Sequence, residues 1–467
     1  MNETPGALLP ELLLLAGAVF GLLTGLFLPR RRQWIVAVVA ALAMVGSIVA
    51  AALDLAREPQ RVFDDSYAVD VPLGVVRIGV ATGTLLVLAL SVAPVRGHRR
   101  ETEYYVLLLF GALGTIMMAG AADVLLLMVT YLLASIPLYT LAAFHQDARG
   151  TEAALKYFLN GALLGVLMLF GLTLLYGAGG ATAYGELGKA LPGASQPLVA
   201  VGLVLTCAGL AFKLGGVPAH FWVPDVAEGA SAPVAAYVTT LPKIGAAVAL
   251  LRLVTEALPG VRVDWSLLIA IIAAASMTLG NLAAFWQQSP TRLLAYSTIS
   301  QIGYLLMAVA AALRSELATP ALLYYLAAYL VTNLAAFAVV VALPRAQVLG
   351  DYAGLARRHR ALAVVLLVSL LSLIGIPPLA GFVGKLGVFA AAMDAGLAWL
   401  VVLAALNTVA SVFYYLRWLA PAFLDSRQDG EPDKLADSGS SPRITAYVAA
   451  LLTVVLGPAG GLLYAVL

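Results

Sequence analysis

Runs of about 20 apolar residues recur along the whole chain, and each is long enough to cross a hydrocarbon core of about 30 Å as an α-helix. A β-barrel would instead show short segments of alternating polarity. Of the 467 residues, 62% are hydrophobic and 11% are charged. A soluble domain would carry about 25% charged residues. The sequence therefore predicts an all-α polytopic membrane protein.

The apolar runs define about fourteen transmembrane helices within a single transmembrane domain over residues 1–467. Most connections between them are short, and one polar stretch, 424–443, is predicted to be a flexible surface loop before the last span. The predicted spans are 7–28, 34–53, 72–94, 104–121, 123–144, 153–177, 197–215, 232–255, 265–286, 291–312, 319–343, 361–390, 397–418 and 444–467.

Basic residues cluster in alternate connections, which predicts the orientation in the membrane. Loops rich in Arg and Lys stay in the cytoplasm. We therefore place these loops in the cytoplasm and both termini outside. The clustered residues are Arg30, Arg31, Arg32, Arg96, Arg99, Arg100, Arg345, Arg357, Arg358, Arg360, Arg417, Arg427, Lys434 and Arg443.

Lysines within the apolar spans are the first candidates for function. A charge at the centre of the membrane costs roughly 3 kcal/mol. A buried lysine can exchange its proton near neutral pH, whereas an arginine stays charged. Lys213, Lys243 and Lys385 are therefore predicted to be proton-relay sites. The alternative is that they extend to the interface or bind helix carbonyls. For Lys156, one turn into its span, that alternative explains the charge equally well.

Two of these lysines adjoin predicted helix breaks. Lys213 precedes "GGVP", and Lys385 follows "GIPPLAGF". Proline removes a backbone donor and frees carbonyls that need other partners. Interrupted helices at corresponding places in two halves indicate inverted repeats around a transport path. The lysine lies before the break in one half and after it in the other, as such a repeat would place it. The predicted break residues are Gly215, Pro218, Gly375, Pro377 and Pro378.

Polar residues between the two breaks are candidates for lining a water path. They lie in "TTLPKIG" around Lys243 and in "YSTISQIGY" on the tenth span. Hydroxyl groups in membrane helices also bond to carbonyls of their own helix, and that alternative stays open. The candidate lining residues are Thr239, Thr240, Tyr296, Ser300, Gln301 and Tyr304.

The sequence offers no cofactor site in this chain. "GAGGATAYG" falls between helices and follows no strand, which argues against a dinucleotide site. A single cysteine, Cys207, excludes an iron–sulfur cluster held by cysteines of this chain. His220 has no neighbouring histidine cluster, so we predict no metal site.

Several long motifs, in order, resemble the antiporter-like membrane subunits of NADH-quinone oxidoreductase, respiratory complex I. The resemblance covers about residues 100–420. It implies fourteen helices, with one repeat over 104–255 (helices 4–8) and an inverted one over 265–418 (helices 9–13). The motifs are "GLAFKLGGVPAHFWVPDVAEGASAPVAA", "LPKIGAA", "TRLLAYSTISQIGYLLMAVAA", "LLSLIGIPPLAGFVGKLGVF" and "LNTVASVFYYLR".

The resemblance also implies a function and partners. Such a subunit translocates protons while partner subunits oxidise NADH and reduce quinone, so NAD, flavin, iron–sulfur clusters and quinone are expected in those partners. Other membrane subunits of the complex and membrane lipid are the expected partners, with no nucleic acid. The expected location is the bacterial inner (plasma) membrane. The family's broken-helix, central and second-half lysines fall on Lys213, Lys243 and Lys385.

Two positions depart from the family pattern. Leu132 stands where the family usually carries a glutamate that pairs with the first broken-helix lysine, and Gln301 stands where histidine is frequent. Two alternatives therefore stay open. The first is that the chain is a structural subunit that does not pump. The second is that it is a subunit of a related cation/proton antiporter or membrane-bound hydrogenase.

Overall fold

The computed structural model describes residues 5–424, Leu435 and residues 439–466. Most of the predicted polar loop 424–443, including Arg427 and Lys434, lies outside the described residues. The described chain is nearly all helical. Its α-helices are α1 Leu9–Phe27, α2 Trp34–Asp54, α3 Val71–Val95, α4 Glu101–Gly120, α5 Val124–Leu133, α6 Ile136–Ala142, α7 Ala148–Gly179, α8 Tyr184–Ala190, α9 Gln196–Leu214, α10 Trp222–Gly229, α11 Ala232–Arg252, α12 Trp265–Ala284, α13 Pro290–Ala311, α14 Ala318–Ala342, α15 Leu355–Arg358, α16 Arg360–Ile374, α17 Ala380–Asp394, α18 Ala398–Leu424 and α19 Ser440–Val466.

Thirteen helical segments of the described chain are long and apolar enough to cross a membrane. The predicted span 361–390 is instead divided between α16 and α17, which are separated by the Gly-Ile-Pro-Pro break. Short 3₁₀ or π turns complete the backbone at Pro5–Leu8, Arg30–Arg32, Leu191–Gly193, Leu253–Ala257 and Leu349–Tyr352.

The structure corrects two of the predicted spans. Span 123–144 is interrupted, because α5 ends at Leu133 and α6 begins at Ile136. Pro137, the second residue of α6, has no N–H to donate to the Leu133 carbonyl four residues earlier, and its ring clashes with that carbonyl, so a continuous helix is interrupted there. The described part of the chain thus has three interrupted spans, not two. The seventh span does not end at residue 215, since α10 continues it to Gly229.

A small β-hairpin between α2 and α3 was not anticipated for an all-α chain. Strand β1, Gln60–Val62, pairs antiparallel with strand β2, Tyr67–Val69. The Tyr67 hydroxyl donates to the Glu11 carboxylate, 2.7 Å away. The hairpin therefore lies against α1 at the end of the bundle opposite Arg30–Arg32.

One buried arginine joins the first three long helices. Arg77 of α3 donates from Nε and Nη2 to the two carboxylate oxygens of Glu11 on α1, each at 2.8 Å. Its Nη1 lies 3.2 Å from an Asp54 oxygen at the end of α2. Arg77 and Glu11 are 1% and 3% exposed. This paired geometry satisfies a charge pair that would otherwise be costly to bury.

Helices α11, α13 and α14 form the centre of the bundle. Their apolar windows are 100%, 94% and 94% buried, whereas those of α7 and α18 are only 33% buried. α14 packs against α11, α13, α16, α17 and α19. A polar group on these central helices is shielded from both lipid and water, so it needs a partner within the protein.

Candidate functional site

The first helix break lies between α9 and α10. Gly215 ends α9 with φ of +80°, a conformation that favours glycine. Ending the helix leaves carbonyls without their usual amide donors. The Trp222 indole donates to the Phe212 carbonyl at 3.0 Å, and the Lys243 amine lies 3.4 Å from the Lys213 carbonyl. The Lys243 amine thus supplies a donor at the Lys213 carbonyl, and the Trp222 indole adds a second donor to the Phe212 carbonyl, which also accepts from the Gly215 amide.

Lys213 is fully buried, and its amine reaches the interruption between α5 and α6. Nζ donates to the Ala134 carbonyl at 2.6 Å and to the Ser135 hydroxyl at 2.8 Å. It also lies 5.6 Å from the centroid of the Tyr131 ring, within the range of a cation–π contact. The interruption between α5 and α6 therefore supplies the acceptors for this lysine.

Leu132, which the resemblance aligns with the family's glutamate, does not line this site. Its side chain is 43% exposed, whereas Tyr131, Ala134 and Ser135 are buried. Lys213 forms no ion pair with any carboxylate of the described residues, and its hydrogen-bond partners are neutral.

Lys243 lies on α11 and is also fully buried. Its amine lies 4.3 Å from the centroid of the Trp222 ring. Trp222 in turn stacks on Tyr157 with centroids 4.2 Å apart. Because the Lys243 amine lies beside the backbone carbonyl of Lys213, the two residues contact each other at the end of α9.

The second break lies between α16 and α17 and uses the same chemistry. Gly375 ends α16 with φ of +95°. The Lys385 amine donates to the carbonyls of Leu373 and Ile374 at 3.0 and 2.9 Å, both in the last turn of α16. It lies 4.2 Å from the centroid of the Tyr304 ring. Pro377 and Pro378 lie within the break, as Pro218 does in the first one.

Polar residues of α14 lie between the two lysine sites. One turn before Lys243, Thr240 accepts a hydrogen bond from the Asn333 amide at 2.8 Å. The Tyr329 hydroxyl lies 2.9 Å from the Thr239 carbonyl and 3.0 Å from the Thr298 hydroxyl. A single hydroxyl proton serves both oxygens, so rotation of this hydroxyl redirects its hydrogen bond.

A second cluster extends this connection to Lys385. The Tyr325 hydroxyl makes a close hydrogen bond to the Gln301 carbonyl oxygen. The Gln301 amide donates at 2.9 Å to the Leu373 carbonyl, which also accepts from Lys385. Tyr325 precedes Tyr329 by four residues of α14, so about 6 Å along the helix separates the two clusters.

The predicted lining residues are thus only partly brought together. Thr239, Thr240 and Gln301 belong to the polar connection, and Tyr304 lies against Lys385. Ser300 is buried one turn before Tyr304 on α13. Tyr296 lies apart from them, with its half-buried ring 6.0 Å from the Arg292 guanidinium.

Sequence analysis missed the residues of α14, namely Tyr325, Tyr329 and Asn333. A signal for them is present in "LYYLAAYLVTN", where polar side chains recur every four residues. That spacing places them on one face of a helix. The signal was weak because tyrosine is also common in apolar helices.

Lys156 lies at the surface of the bundle. Its amine pairs with Glu152 at 2.9 Å and with Asp225 at 3.1 Å, and its side chain is 46% exposed. Asp225 also pairs with Arg292. Lys156 therefore belongs to a surface ion-pair network that is separate from the buried lysines.

A cavity of about 770 Å³ lies at the start of α11, on the predicted cytoplasmic side. Its lining includes Glu228, Ser231, Pro233 and Pro290. Thr240 follows Pro233 by about 10 Å along α11. The cavity is wide enough for water, and it brings a polar surface to within about two turns of the buried connection.

The described residues contain no group of three or more His, Cys, Asp or Glu side chains arranged to hold a metal ion. The cysteine at position 207 is a buried free thiol.

The sequence of this chain is similar to a known protein family and to individual relatives. Residues 121–411 match the protein family described as "NADH:quinone oxidoreductase/Mrp antiporter, TM". NADH-quinone oxidoreductase subunit N 1 of Streptomyces griseus is 52% identical over 464 residues, covering 99% of this chain and 97% of that protein. Subunit N of a Mycobacterium species, strain JLS, is 49% identical over 451 residues and covers 97% and 96%.

Solved structures share the fold. A chain of respiratory complex I from Thermus thermophilus with bound aureothin is 33% identical, with a TM-score of 0.83 and coverage of 98% of both chains. A chain of the Mrp complex from Dietzia sp. DQ12-45-1b superposes with a TM-score of 0.86 at 23% identity, covering 99% and 96%. At that identity the likeness is one of fold alone.

Proposed function

Because this chain belongs to the family of NADH-quinone oxidoreductase subunit N, the antiporter-like membrane subunits of complex I, we propose that it translocates protons through its buried lysines. It is a multi-pass protein of the bacterial inner membrane. In this proposal quinone reduction in partner subunits drives proton transfer along Lys213, Lys243 and Lys385.

One observation carries the proposal. Two hydrogen-bonded groups lie in the most buried helices between Lys243 and Lys385: one joins Thr240, Asn333 and Tyr329, and the other joins Tyr325, Gln301 and the Leu373 carbonyl that Lys385 contacts. About one helical turn separates Lys243 from Thr240 and Tyr329 from Tyr325. Buried polar groups in a membrane protein are costly and mark ion or proton paths. A purely structural core at this depth would be built more cheaply from apolar side chains.

The proposed path begins at the cavity beside Ser231 and Pro233. Water there reaches toward Thr240, and a proton passes to Lys243 at the first break. A protonated lysine has three donors and no acceptor. Proton transfer through a lysine therefore needs neighbouring carbonyl and hydroxyl oxygens that accept hydrogen bonds from the amine in both its protonated and its neutral form. The broken helices supply them at Lys213, Lys243 and Lys385.

The same proposal includes the internal repeats and the partners. Repeats over 104–255 and 265–418 would contribute the broken helices α9–α10 and α16–α17, whose freed carbonyls bind a lysine amine, and the first repeat would also contain the interrupted span α5–α6. Other complex I membrane subunits, together with lipid, would surround the bundle. NAD, flavin, iron–sulfur clusters and quinone would be held by partner subunits, and this chain would supply the membrane path alone.

A structural subunit that does not pump is the competing function. The observation that favours it is the neutral environment of Lys213, whose amine contacts a carbonyl and a hydroxyl where the family usually has a carboxylate. The related-antiporter alternative has less support, since the relatives at 52% and 49% identity are NADH-quinone oxidoreductase subunits. The proton-to-electron ratio of the assembled complex distinguishes pumping from a structural role.

Replacing Tyr329 with Phe tests the connection between the two lysine sites. Removing the hydroxyl takes away a proton donor that contacts both Thr239 and Thr298, while the ring keeps its packing. We expect proton translocation per electron to fall by several-fold in inverted membrane vesicles, measured by fluorescence quenching of a pH-sensitive dye against NADH consumption.

Tyr324→Phe is the matched control, because it removes a hydroxyl from the same helix. That hydroxyl donates to the Leu456 carbonyl of α19, away from the lysines. Translocation should stay near that of the unmodified complex. Equal losses in Tyr329→Phe and Tyr324→Phe would assign both to helix packing and would contradict the proposed path.

A further inference from the structure

An apolar groove separates α2 from α3 on the outer surface of the bundle, far from the lysines. Its volume is about 460 Å³. On α2 the ridge of Val38, Leu42 and Val45 is between 43% and 66% exposed. The complete lining is Trp34, Ala37, Val38, Ala41, Leu42, Val45, Leu88, Val92 and Arg96.

The length of the groove fits one leaflet of a membrane. From Trp34 to Val45 the helix rises about 16 Å, roughly half of a hydrocarbon core of about 30 Å. On α3 the lining runs from Leu88 to Arg96, about 12 Å. The exposed face of α2 continues beyond the groove to Val49 and Leu53, 54% and 65% exposed, so the groove occupies only the half of α2 nearest Trp34. The groove matches a ligand that enters from one surface and ends near the midplane.

The surface end of the groove is cationic. Arg96, directly after α3, is exposed and lines the groove. Arg30, Arg31 and Arg32 precede α2 at the same end and are exposed. None of the four forms an ion pair with a carboxylate of the described residues.

The remaining groups at this end also suit a membrane surface. Glu101 is turned inward, 1% exposed, and accepts a hydrogen bond from the Gly97 amide; it forms no ion pair with Arg96. Trp34 is 45% exposed at the mouth. Tryptophan and arginine are the side chains that lie at the level of lipid headgroups.

We propose that this groove binds an anionic phospholipid. Its phosphate lies between Arg96 and the Arg30–Arg32 turn, and one acyl chain lies between α2 and α3 down to Val45. Unpaired guanidinium groups above an apolar slot one leaflet deep complement a ligand with an anionic head and an apolar tail. Anionic lipid attracts such basic clusters at the membrane surface.

Photolabelling of the intact complex tests this site. The purified complex is placed in lipid nanodiscs with phosphatidylglycerol or phosphatidylcholine carrying a diazirine in one acyl chain, and labelled peptides are mapped by mass spectrometry. We expect phosphatidylglycerol to label residues 34–45 preferentially. Arg96→Gln should lower this labelling by about fivefold, the size expected for one cationic side chain. Adding Arg31→Gln and Arg32→Gln should lower it further.

Arg345→Gln is the control, because Arg345 is another exposed arginine on the predicted cytoplasmic side, outside the groove. It should leave labelling of residues 34–45 unchanged. Equal labelling by both lipids, insensitive to the arginine substitutions, would show only bulk lipid and would overturn the proposal. Absence of labelling in the groove would mean that a partner subunit covers it, and would overturn the proposal equally.

Discussion

Replacing Lys385 with Met is expected to lower proton-coupled quinone reduction by at least tenfold in membranes that hold the assembled complex. The amine of Lys385 is the titratable group at the second break, and Met keeps a similar length without a proton to transfer. A positioned proton-transfer group typically contributes a factor of about 100 to 10,000. The measurement is NADH-dependent quinone reduction together with proton uptake in inverted vesicles.

Lys385→Met also leaves the Ile374 carbonyl without its side-chain donor, while the Leu373 carbonyl keeps the Gln301 amide; one unsatisfied buried acceptor costs about 1–3 kcal/mol. Lys385→Arg separates this structural effect from the relay. Arginine keeps the charge and the donors but does not release its proton, so we expect normal assembly with low proton transfer. Lys156→Met, at a surface ion pair, should leave both rates near normal. A normal proton-to-electron ratio in both Lys385 variants would exclude this lysine from the path.

Replacing Arg77 with Met is expected to destabilise the N-terminal helices by about 3–5 kcal/mol. The substitution leaves the Glu11 carboxylate buried with only the Tyr67 hydroxyl as a partner, and breaking one side of a buried pair costs that much. The yield of complex and its thermal dissociation temperature should both fall.

Two further variants show whether the unpaired charge is the cause. In Glu11→Leu with Arg77→Met both charges are gone, so most of the lost stability should return, because an apolar replacement of a buried pair is often neutral. Arg57, whose side chain is 63% exposed, also pairs with Asp54. Arg57→Met should lower the free energy of unfolding by at most about 1 kcal/mol. If the double variant were as unstable as Arg77→Met, lost packing would explain the effect instead.

The sequence alone determined the class of fold and two of the points where its helices break. Hydropathy specifies a spanning segment because each helix in lipid must satisfy its own backbone hydrogen bonds, so the signal is local. The breaks at Gly215 and Gly375 were equally local, since a glycine and nearby prolines end a helix wherever it packs.

Only the tertiary structure decided which buried groups meet. The hydrogen bond of Lys213 to Ser135 joins residues 78 positions apart, and that of Asn333 to Thr240 joins residues 93 apart. Hydrophobic periodicity gives the buried face of a helix but not its neighbour, because lipid-facing and protein-facing apolar surfaces are chemically alike. The break at Ala134 and Ser135, the series of α14 side chains and the hairpin beside Glu11 therefore became evident only once the helices were packed.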